Sequence, residues 1–266
     1  MLPELFYQAD DGRAEAGRAL PLLVWRAETS IVAASSAPLG GGIGTRRWVV
    51  NATVPMSYSR FDPDVHLHDV AASVGLSGPG VGMLTGVDVS ERLICQDRDA
   101  IVVGTVGIGS PTLAAAPEGD QRAGEVVGTI NLVGYVPERL SDAALINAVA
   151  TITEAKVQAL WALGVRATGT ATDAVCVLCP ADGPAQPFGG PRSTWGARLA
   201  RAGYAAVLAG GSAWLAGGVP WSQRAAGHCA DRHSGDRHPD VRAGASGSPA
   251  LALAPRSAGW DAMHDK

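Results

Sequence analysis

The sequence predicts an α+β protein with a core of its own. Short runs rich in valine, isoleucine and threonine recur between glycine-containing turns, a pattern typical of β-strands. Two longer segments instead follow a serine cap and carry apolar residues at helical spacing. Hydrophobic residues make up 47% of the 266 positions, which is enough to build a core.

The predicted strands are short, and each ends at a charged or glycine-rich stretch. The first two, LPLLVW and SIVAASS, are separated by Arg26 and Glu28, and a later one is rich in glycine. The sequence places strands within residues 19–39, 46–55, 78–90, 100–108, 128–135 and 173–179.

Three helices are predicted. Residues 64–76 have Asp64 as a candidate N-cap, and a helix over 141–163 has Ser141 as its cap and Gly164 as its stop. A third begins after Ser193 and ends near residue 209. Beyond that point arginine, histidine, glycine and proline dominate and periodicity is lost. We therefore expect one domain over 1–209 and a low-complexity, disordered tail over 210–266.

Composition narrows the function classes. Charged residues are 17% and the net charge is −4, so a nucleic-acid partner is not expected. The sequence has no apolar run long enough to span a membrane and no signal peptide. Four cysteines are too few for a disulfide framework. These features predict a cytoplasmic protein. They leave its oligomeric state open, and a homo-oligomer is possible.

Lys156 is the one internal lysine, and it lies on the apolar side of the 141–163 helix. At 100° per residue it falls among Leu145, Val149, Ile152 and Leu160. A buried ammonium is costly unless it is paired, so it suggests a base or an electrostatic clamp. The alternative is a packed stem whose charged end reaches solvent.

Two loops carry candidate chemistry. ATGTATDAV (167–175) offers Thr170, Thr172 and Asp173 around Gly169, which suits a nucleophile or an oxyanion-binding loop. The alternative is a polar turn. FGGPRSTWGAR (188–198) places Arg192 and Ser193 at a helix start, where they would bind an anion or serve as a plain cap.

Metal and nucleotide sites are disfavoured. The GPGVG stretch lacks the third glycine of a dinucleotide loop. Cys176 and Cys179 form a C-x-x-C pair on a predicted strand, where residues three apart face opposite sides. His66 and His68 lie about 200° apart on a helix, so they do not face one metal.

Six stretches of the sequence, read together, show a resemblance to a known family. Two of them are the most specific: LSDAALINAVATITEAKVQALWALGVRATGTATDAVCVLCP and FGGPRSTWGARLARA. The others are GGGIGTRRWVVNATVP, GPGVGMLTGVDV, GTVGIGSP and GTINLV. Over about residues 30–205 the chain resembles the adenosylcobinamide amidohydrolase family of corrinoid salvage. The resemblance implies hydrolysis of the amide between aminopropanol and the corrin propionate, which yields adenosylcobyric acid. The cobalt then belongs to the corrinoid substrate, and no cofactor or metal of the protein is expected.

A weaker resemblance concerns architecture. The order of strand, capped helix, Gly/Thr turn and strand is similar to the β-aminopeptidase and ornithine acetyltransferase group. That similarity implies β-sheets layered between helices, an αββα-like sandwich, and self-cleavage that frees an N-terminal nucleophile. By this analogy Thr170, after Gly169, is the candidate nucleophile.

The hypothesis for the site combines these readings. Thr170 or Thr172 attacks the scissile carbonyl or holds the attacking water, Asp173 orients the threonines, and Lys156 activates the nucleophile or stabilises the oxyanion. The expected substrate-binding residues are Asn51, Asn131, Arg192 and Ser193. Two other functions stay open: a corrinoid-binding protein without chemistry, and an amidase or aminopeptidase acting on small amides.

Overall fold

Strands and helices are interspersed along the chain in the structure, a computed structural model that describes residues 1–8, 19–118 and 128–217. The strands in these ranges are β1 Glu4–Gln8, β2 Leu20–Ser35, β3 Gly42–Thr53, β4 Gly80–Thr85, β5 Leu93–Asp97, β6 Ala100–Val106, β7 Ile130–Tyr135 and β8 Ala174–Pro180. The helices are α1 Pro63–Ser73, α2 Asp142–Ala162 and α3 Thr194–Gly217.

The eight strands form one hydrogen-bonded sheet in the order β4-β3-β2-β8-β7-β6-β5, with β1 beside β2. Two neighbouring pairs, β3 with β4 and β7 with β8, run parallel. The 16-residue strand β2 connects two halves of this sheet. The first half contains β1, β3, β4 and the beginning of β2, and the second half contains the end of β2 and β5 to β8. Its first part pairs with β1 and β3, its last part pairs with β3 and β8, and the register shifts between Arg26 and Ile31.

The two halves of the sheet pack face to face. One buried cluster joins side chains of the first half, such as Trp25 and Met83, with side chains of the second half, such as Val133 and Leu178. Asn51 on β3 also bonds to Thr105 on β6 and to Asn131 on β7, although these strands are not neighbours in the sheet. The fold is therefore a sandwich whose two layers are hydrogen-bonded along one side.

Helices cover both outer faces of the sandwich. Val70 and Ala71 of α1 pack on the outer face of the first half, against Val24 and Val50. A second cluster joins α2 and α3 to the outer face of the second half. The predicted α+β fold with αββα-like layers is confirmed, because the strands bury both faces and each face needs its own apolar partner.

The helix boundaries follow local chemistry. Ser141 caps α2 by accepting a bond from the Ala144 amide, and Gly164 has φ +78° just beyond its end, both as predicted. The predicted N-cap of α1 is wrong. Asp62 occupies that position because Pro63 is the first helical residue, and Asp64 lies in the first turn.

Several strands and one helix end differ from the sequence prediction. The two strands predicted within residues 19–39 form the single strand β2, and the strand predicted over 78–90 is limited to β4, with a short 3-10 helix over Val89–Glu91 after it. β1 and β5 were not predicted, and α3 continues to Gly217 rather than ending near residue 209. The glycines there serve as close contacts: a Cβ on Gly210 would lie 2.8 Å from Val106. Residues 210–217, which were predicted to begin the disordered tail, are therefore helical, and the prediction is wrong for them. Residues 218–266 lie outside the described residues, so a disordered tail there and the domain limits stay predictions.

Two further expectations concern burial. Cys176 packs in the cluster between the sheet halves and Cys179 in the cluster under α2, so their opposite orientation is confirmed. Within the described ranges, none of the helices has the length and apolarity needed to cross a membrane.

Candidate active site

A buried ion pair lies where α2 meets the start of β8. The Lys156 Nζ atom is 2.5 Å from the Asp173 Oδ2 atom, and the two side chains are only 7% and 8% exposed. Glu154, two residues earlier on α2, is exposed. The prediction that Lys156 projects from the core-facing side of its helix is confirmed, and Asp173 supplies the compensating charge.

Asp173 accepts hydrogen bonds on both carboxylate oxygens. Oδ2 accepts from Lys156 and from the Thr170 amide at 3.0 Å. Oδ1 accepts from the Thr170 hydroxyl at 2.5 Å and from the Ile130 amide at 2.8 Å. Four donors match the roughly four acceptor positions of an ionised carboxylate, so Asp173 is held in one orientation. The hydroxyl of Thr170 therefore points its proton at this carboxylate.

The strand topology explains how Asp173 comes to its partners. β7 and β8 are parallel neighbours, and Asn131 pairs with Ala174. The residues that precede these two strands consequently lie side by side at one edge of the sheet. This places Thr129 and Ile130, at the start of β7, beside Thr172 and Asp173, which come just before β8.

Gly169 permits the close approach of the threonine loop. A Cβ at this position would lie 2.5 Å from Lys156 Nζ and nearer still to Asp173 Oδ2. The Gly169 carbonyl also accepts a bond from the Thr112 amide at 2.8 Å, and the Thr168 amide donates to the Thr112 carbonyl. The loop is thus tied to the segment after β6, and only glycine leaves room for the ion pair.

Thr172 presents a second hydroxyl, on the surface of a cavity. It is exposed, and its Oγ1 lies 2.7 Å from the Thr129 hydroxyl oxygen. Thr129, Thr172 and Asp173 all line a cavity of about 540 Å³. The buried charge pair therefore reaches solvent-accessible space through Asp173.

The cavity lies between the two halves of the sandwich. The first wall is formed by residues at the carboxyl ends of β3 and β4 and by the segment between β3 and α1. The second wall is formed by residues around the starts of β7 and β8. The lining residues are Ser36, Pro38, Val54, Pro55, Met56, Tyr58, Arg60, Pro63, Met83, Leu84, Thr85, Gly86, Thr129, Ala171, Thr172, Asp173 and Ala174.

Asn51 and Asn131 lie behind this surface rather than on it. They are 2% and 1% exposed. Asn131 donates to Asn51 Oδ1 and to the Leu84 carbonyl, and its own oxygen accepts from the Ala174 amide at 3.2 Å. These bonds connect the sheet halves and fix the residue that follows Asp173. Their predicted contact with substrate stays a prediction.

Arg192 and Ser193 lie near the other end of α2. Ser193 caps α3 by accepting from the Gly196 amide at 3.1 Å, and Arg192 is exposed. The adjoining Gly190 faces Asn147, nine residues before Lys156 and therefore roughly 13 Å along the helix. The structure does not bring these two residues together with the threonine loop, and their binding role stays a prediction.

Three features of the site escaped the sequence analysis. Thr129 lies in a different segment from Thr172, and only the parallel pairing of β7 with β8 brings the two hydroxyls together. Tyr58 and Arg60 reach the cavity from a segment without periodicity. A hydroxyl just before an apolar strand is the one signal that would have pointed to Thr129.

The two histidines of α1 separate as predicted. His66 is buried and its Nδ1 lies 3.0 Å from the Tyr58 hydroxyl, whereas His68 is exposed. Their side chains occupy different faces of the helix. His66 thus belongs to the wall that carries Tyr58.

Comparison with known proteins identifies the family. A sequence model of adenosylcobinamide amidohydrolases matches residues 6–218. A Methanosarcina mazei protein named adenosylcobinamide amidohydrolase is 30% identical over 154 residues, which cover 57% of this chain and 72% of the relative. A Halobacterium salinarum protein of the same name is 33% identical over 144 residues, which cover 51% of this chain and 61% of that relative. Since the family match extends over well more than half of the 266 residues, the chain belongs to the adenosylcobinamide amidohydrolase family.

Proposed function

We propose that this protein hydrolyses adenosylcobinamide at the amide between aminopropanol and the corrin propionate. The products are adenosylcobyric acid and aminopropanol. Membership of the family and the names of both relatives support this activity. Within the structure, it is supported chiefly by the buried Lys156–Asp173 pair, whose carboxylate both contacts the Thr170 hydroxyl and lines the cavity.

The arrangement supplies what amide hydrolysis requires. A nucleophile needs a group that accepts its proton, and that acceptor needs a group that orients it. Thr170 Oγ1 donates to Asp173 Oδ1, and Asp173 is oriented by Lys156 and by two backbone amides. Thr170 is not among the residues that line the cavity, so the scissile carbonyl has to approach it past Asp173, which does line it. As the Thr170 oxygen attacks the carbonyl carbon, its proton moves to Asp173. Water then releases cobyric acid from the threonine ester.

A second route uses water as the attacking group. Thr172 and Thr129 carry a pair of hydroxyls on the cavity surface beside Asp173. A water held by Thr172 would attack the same carbonyl, and no ester would form. The mass of the protein during turnover separates the two routes, because only the first adds a cobyric acyl group to the chain.

The size of the cavity sets how the substrate binds. A volume of about 540 Å³ lies within the usual range for small-molecule sites. A corrin macrocycle with its peripheral amides is larger than this space. We therefore place the aminopropanol arm and its amide inside the cavity and the ring at the mouth, where Phe61, the neighbour of the lining residue Arg60, is fully exposed.

The remaining expectations are parts of this proposal. The protein needs no cofactor of its own, and cobalt arrives with the corrinoid. Turnover that survives treatment with a chelator would support this point. We also propose a cytoplasmic location, which cell fractionation tests. The absence of nucleic-acid binding and the association of identical copies stay predictions.

The test is a substrate panel read by mass spectrometry. We expect cobyric acid from adenosylcobinamide and no cleavage of short β-peptides or acyl-ornithine. A spectral change on mixing with cobinamide, without product, would instead indicate a corrinoid-binding protein. Cleavage of small amides alone would indicate an amidase or aminopeptidase.

A further inference from the structure

The cavity wall opposite Asp173 carries an ionisable group that the proposed mechanism has not used. This wall includes the segment between β3 and α1, where Pro55, Met56, Tyr58 and Arg60 line the cavity. The opposite wall holds Thr129, Thr172 and Asp173. A substrate arm bound between the walls would have Thr129, Thr172 and Asp173 on one side and Tyr58 on the other.

Tyr58 is held in place by His66. The phenol oxygen lies 3.0 Å from His66 Nδ1, and the two rings stack with centroids 5.5 Å apart and planes 16° from parallel. His66 is only 4% exposed, on the buried face of α1. The Tyr58 amide also donates to the Pro55 carbonyl at 2.9 Å. The phenol is therefore fixed by its backbone and by a buried ring.

The hydroxyl of Tyr58 has capacity left for a substrate. A phenol donates one hydrogen bond and accepts two. Proton donation to a substrate requires the tautomer in which His66 Nδ1 carries the ring proton and donates to the Tyr58 oxygen, so that the phenol keeps its own proton for the substrate. Burial raises the pKa of the Tyr58 phenol above its ordinary value, and the nearby Arg60 charge offsets part of that rise. Tyr58 therefore retains its proton at neutral pH.

Amide hydrolysis needs a proton donor at the departing nitrogen, because an amine anion is a very poor leaving group. Arg60 is unsuited to this role, since a guanidinium does not release its proton in proteins and Asp62 already binds it. The lining hydroxyls of Thr129 and Thr172 bond to each other on the other wall. Aliphatic hydroxyls also hold their protons more tightly than a phenol does.

We propose that Tyr58 is a catalytic residue that protonates the leaving aminopropanol nitrogen, with His66 as its positioning residue. The assignment rests on the proposed amide hydrolysis. When the tetrahedral intermediate collapses, the C–N bond breaks and its electron pair stays on nitrogen. The Tyr58 proton forms the new N–H bond. The phenolate then recovers, through solvent, the proton that the nucleophile gave to Asp173. Hydrolysis of the threonine ester consumes one water in each cycle and restores the Thr170 hydroxyl.

The test compares two substrates of the same corrin acid. One is adenosylcobinamide, and the other is an aryl ester of adenosylcobyric acid, whose phenolate leaves without being protonated. Tyr58→Phe should lower kcat on the amide by about 100-fold or more and change kcat on the aryl ester by less than about threefold. The control is Tyr204→Phe, which removes a phenol oxygen from a tyrosine on α3 that does not line the cavity. Its kcat should equal that of wild type on both substrates.

A second variant guards against misfolding. His66→Asn removes the stacked ring but leaves the phenol, so the amide rate should fall by less than in Tyr58→Phe and the ester rate should persist. Equal losses on both substrates would show that Tyr58 only binds or supports structure, and an unaffected amide rate would also overturn the assignment. A wild type that cleaves neither substrate would overturn the proposed function, and this assignment with it.

Discussion

Lys156 Nζ lies 2.5 Å from Asp173 Oδ2, in a position where both side chains are removed from solvent. α2 contributes the ammonium and the residue before β8 contributes the carboxylate. Neither charge has enough water around it to be stable alone. The pair is therefore both a structural element of the αββα sandwich and the foundation of the proposed catalytic site.

Removing the ammonium should damage both roles. Lys156→Met leaves Asp173 as an unpaired buried charge, so we expect the free energy of unfolding to fall by about 3 kcal/mol and turnover to be lost. Urea unfolding and the cobinamide assay measure the two effects. The double variant with Asp173→Asn removes both charges and should recover part of the stability but none of the turnover. Near-normal turnover by Lys156→Met would contradict the role of the pair.

A methyl group at position 169 should separate the pair without removing it. The added Cβ of Gly169→Ala would overlap Lys156 Nζ and Asp173 Oδ2, so these two terminal atoms of the ion pair must shift. We expect a folded protein with kcat reduced by at least about tenfold. Gly164→Ala is the matched control: φ is +78° there and no atom lies within 4 Å, so stability falls by about 1 kcal/mol and kcat persists.

The bonds of Asn131 should matter for stability. Asn131→Leu leaves the Ala174 amide and the Asn51 side-chain oxygen without their partner in the core. An unsatisfied buried group costs free energy, so we expect the free energy of unfolding to fall by about 2 kcal/mol. Asn147→Leu, at an exposed position on α2, should change it by less than about 0.5 kcal/mol. Equal stabilities for both variants would rule out the structural role of Asn131.

Cys176 should be inert in the folded protein. Burial between the sheet halves raises the pKa of its thiol to about 12, so at pH 8 the reactive thiolate is nearly absent. Iodoacetamide should label Cys176 only after denaturation, as peptide mass spectrometry can show. Between pH 9 and 12 the unfolded state binds fewer protons at this thiol than the folded state does. Cys176 therefore makes stability fall as the pH rises through that window. Rapid labelling of the native protein would show that this strand is not buried.

Local chemistry explains which features the sequence predicts well. The Ser141 cap, the Gly164 stop and the apolar stripe around Lys156 all act within one helix, so α2 and the burial of its lysine follow from the sequence. The alternation along β8 likewise places Cys176 and Cys179 on opposite faces. In each case the determining residues are close neighbours in the chain.

Features set by tertiary packing are not predictable in this way. Gly210 lies inside α3 and packs against Val106 of β6, whereas the sequence prediction ends the helix near residue 209, where the composition changes. β5 has only alternate residues half-buried, so its pattern is weak. The partnership of Thr129 with Thr172 joins residues 43 positions apart through a parallel strand pair. The Tyr58–His66 contact depends on how a non-periodic segment folds against α1.

The most direct test of the proposed site removes the hydroxyl that points at Asp173. Wild type, Thr170→Ala and Thr170→Ser are incubated with adenosylcobinamide and cobyric acid is followed by mass spectrometry. Thr168→Ala serves as the matched control, since that hydroxyl bonds to backbone atoms of Thr112 and Ala114 and, within the described residues, not to Asp173. We expect product from wild type, Thr170→Ser and Thr168→Ala, and none from Thr170→Ala. Cobyric acid formed at the wild-type rate by Thr170→Ala would contradict the assignment of Thr170.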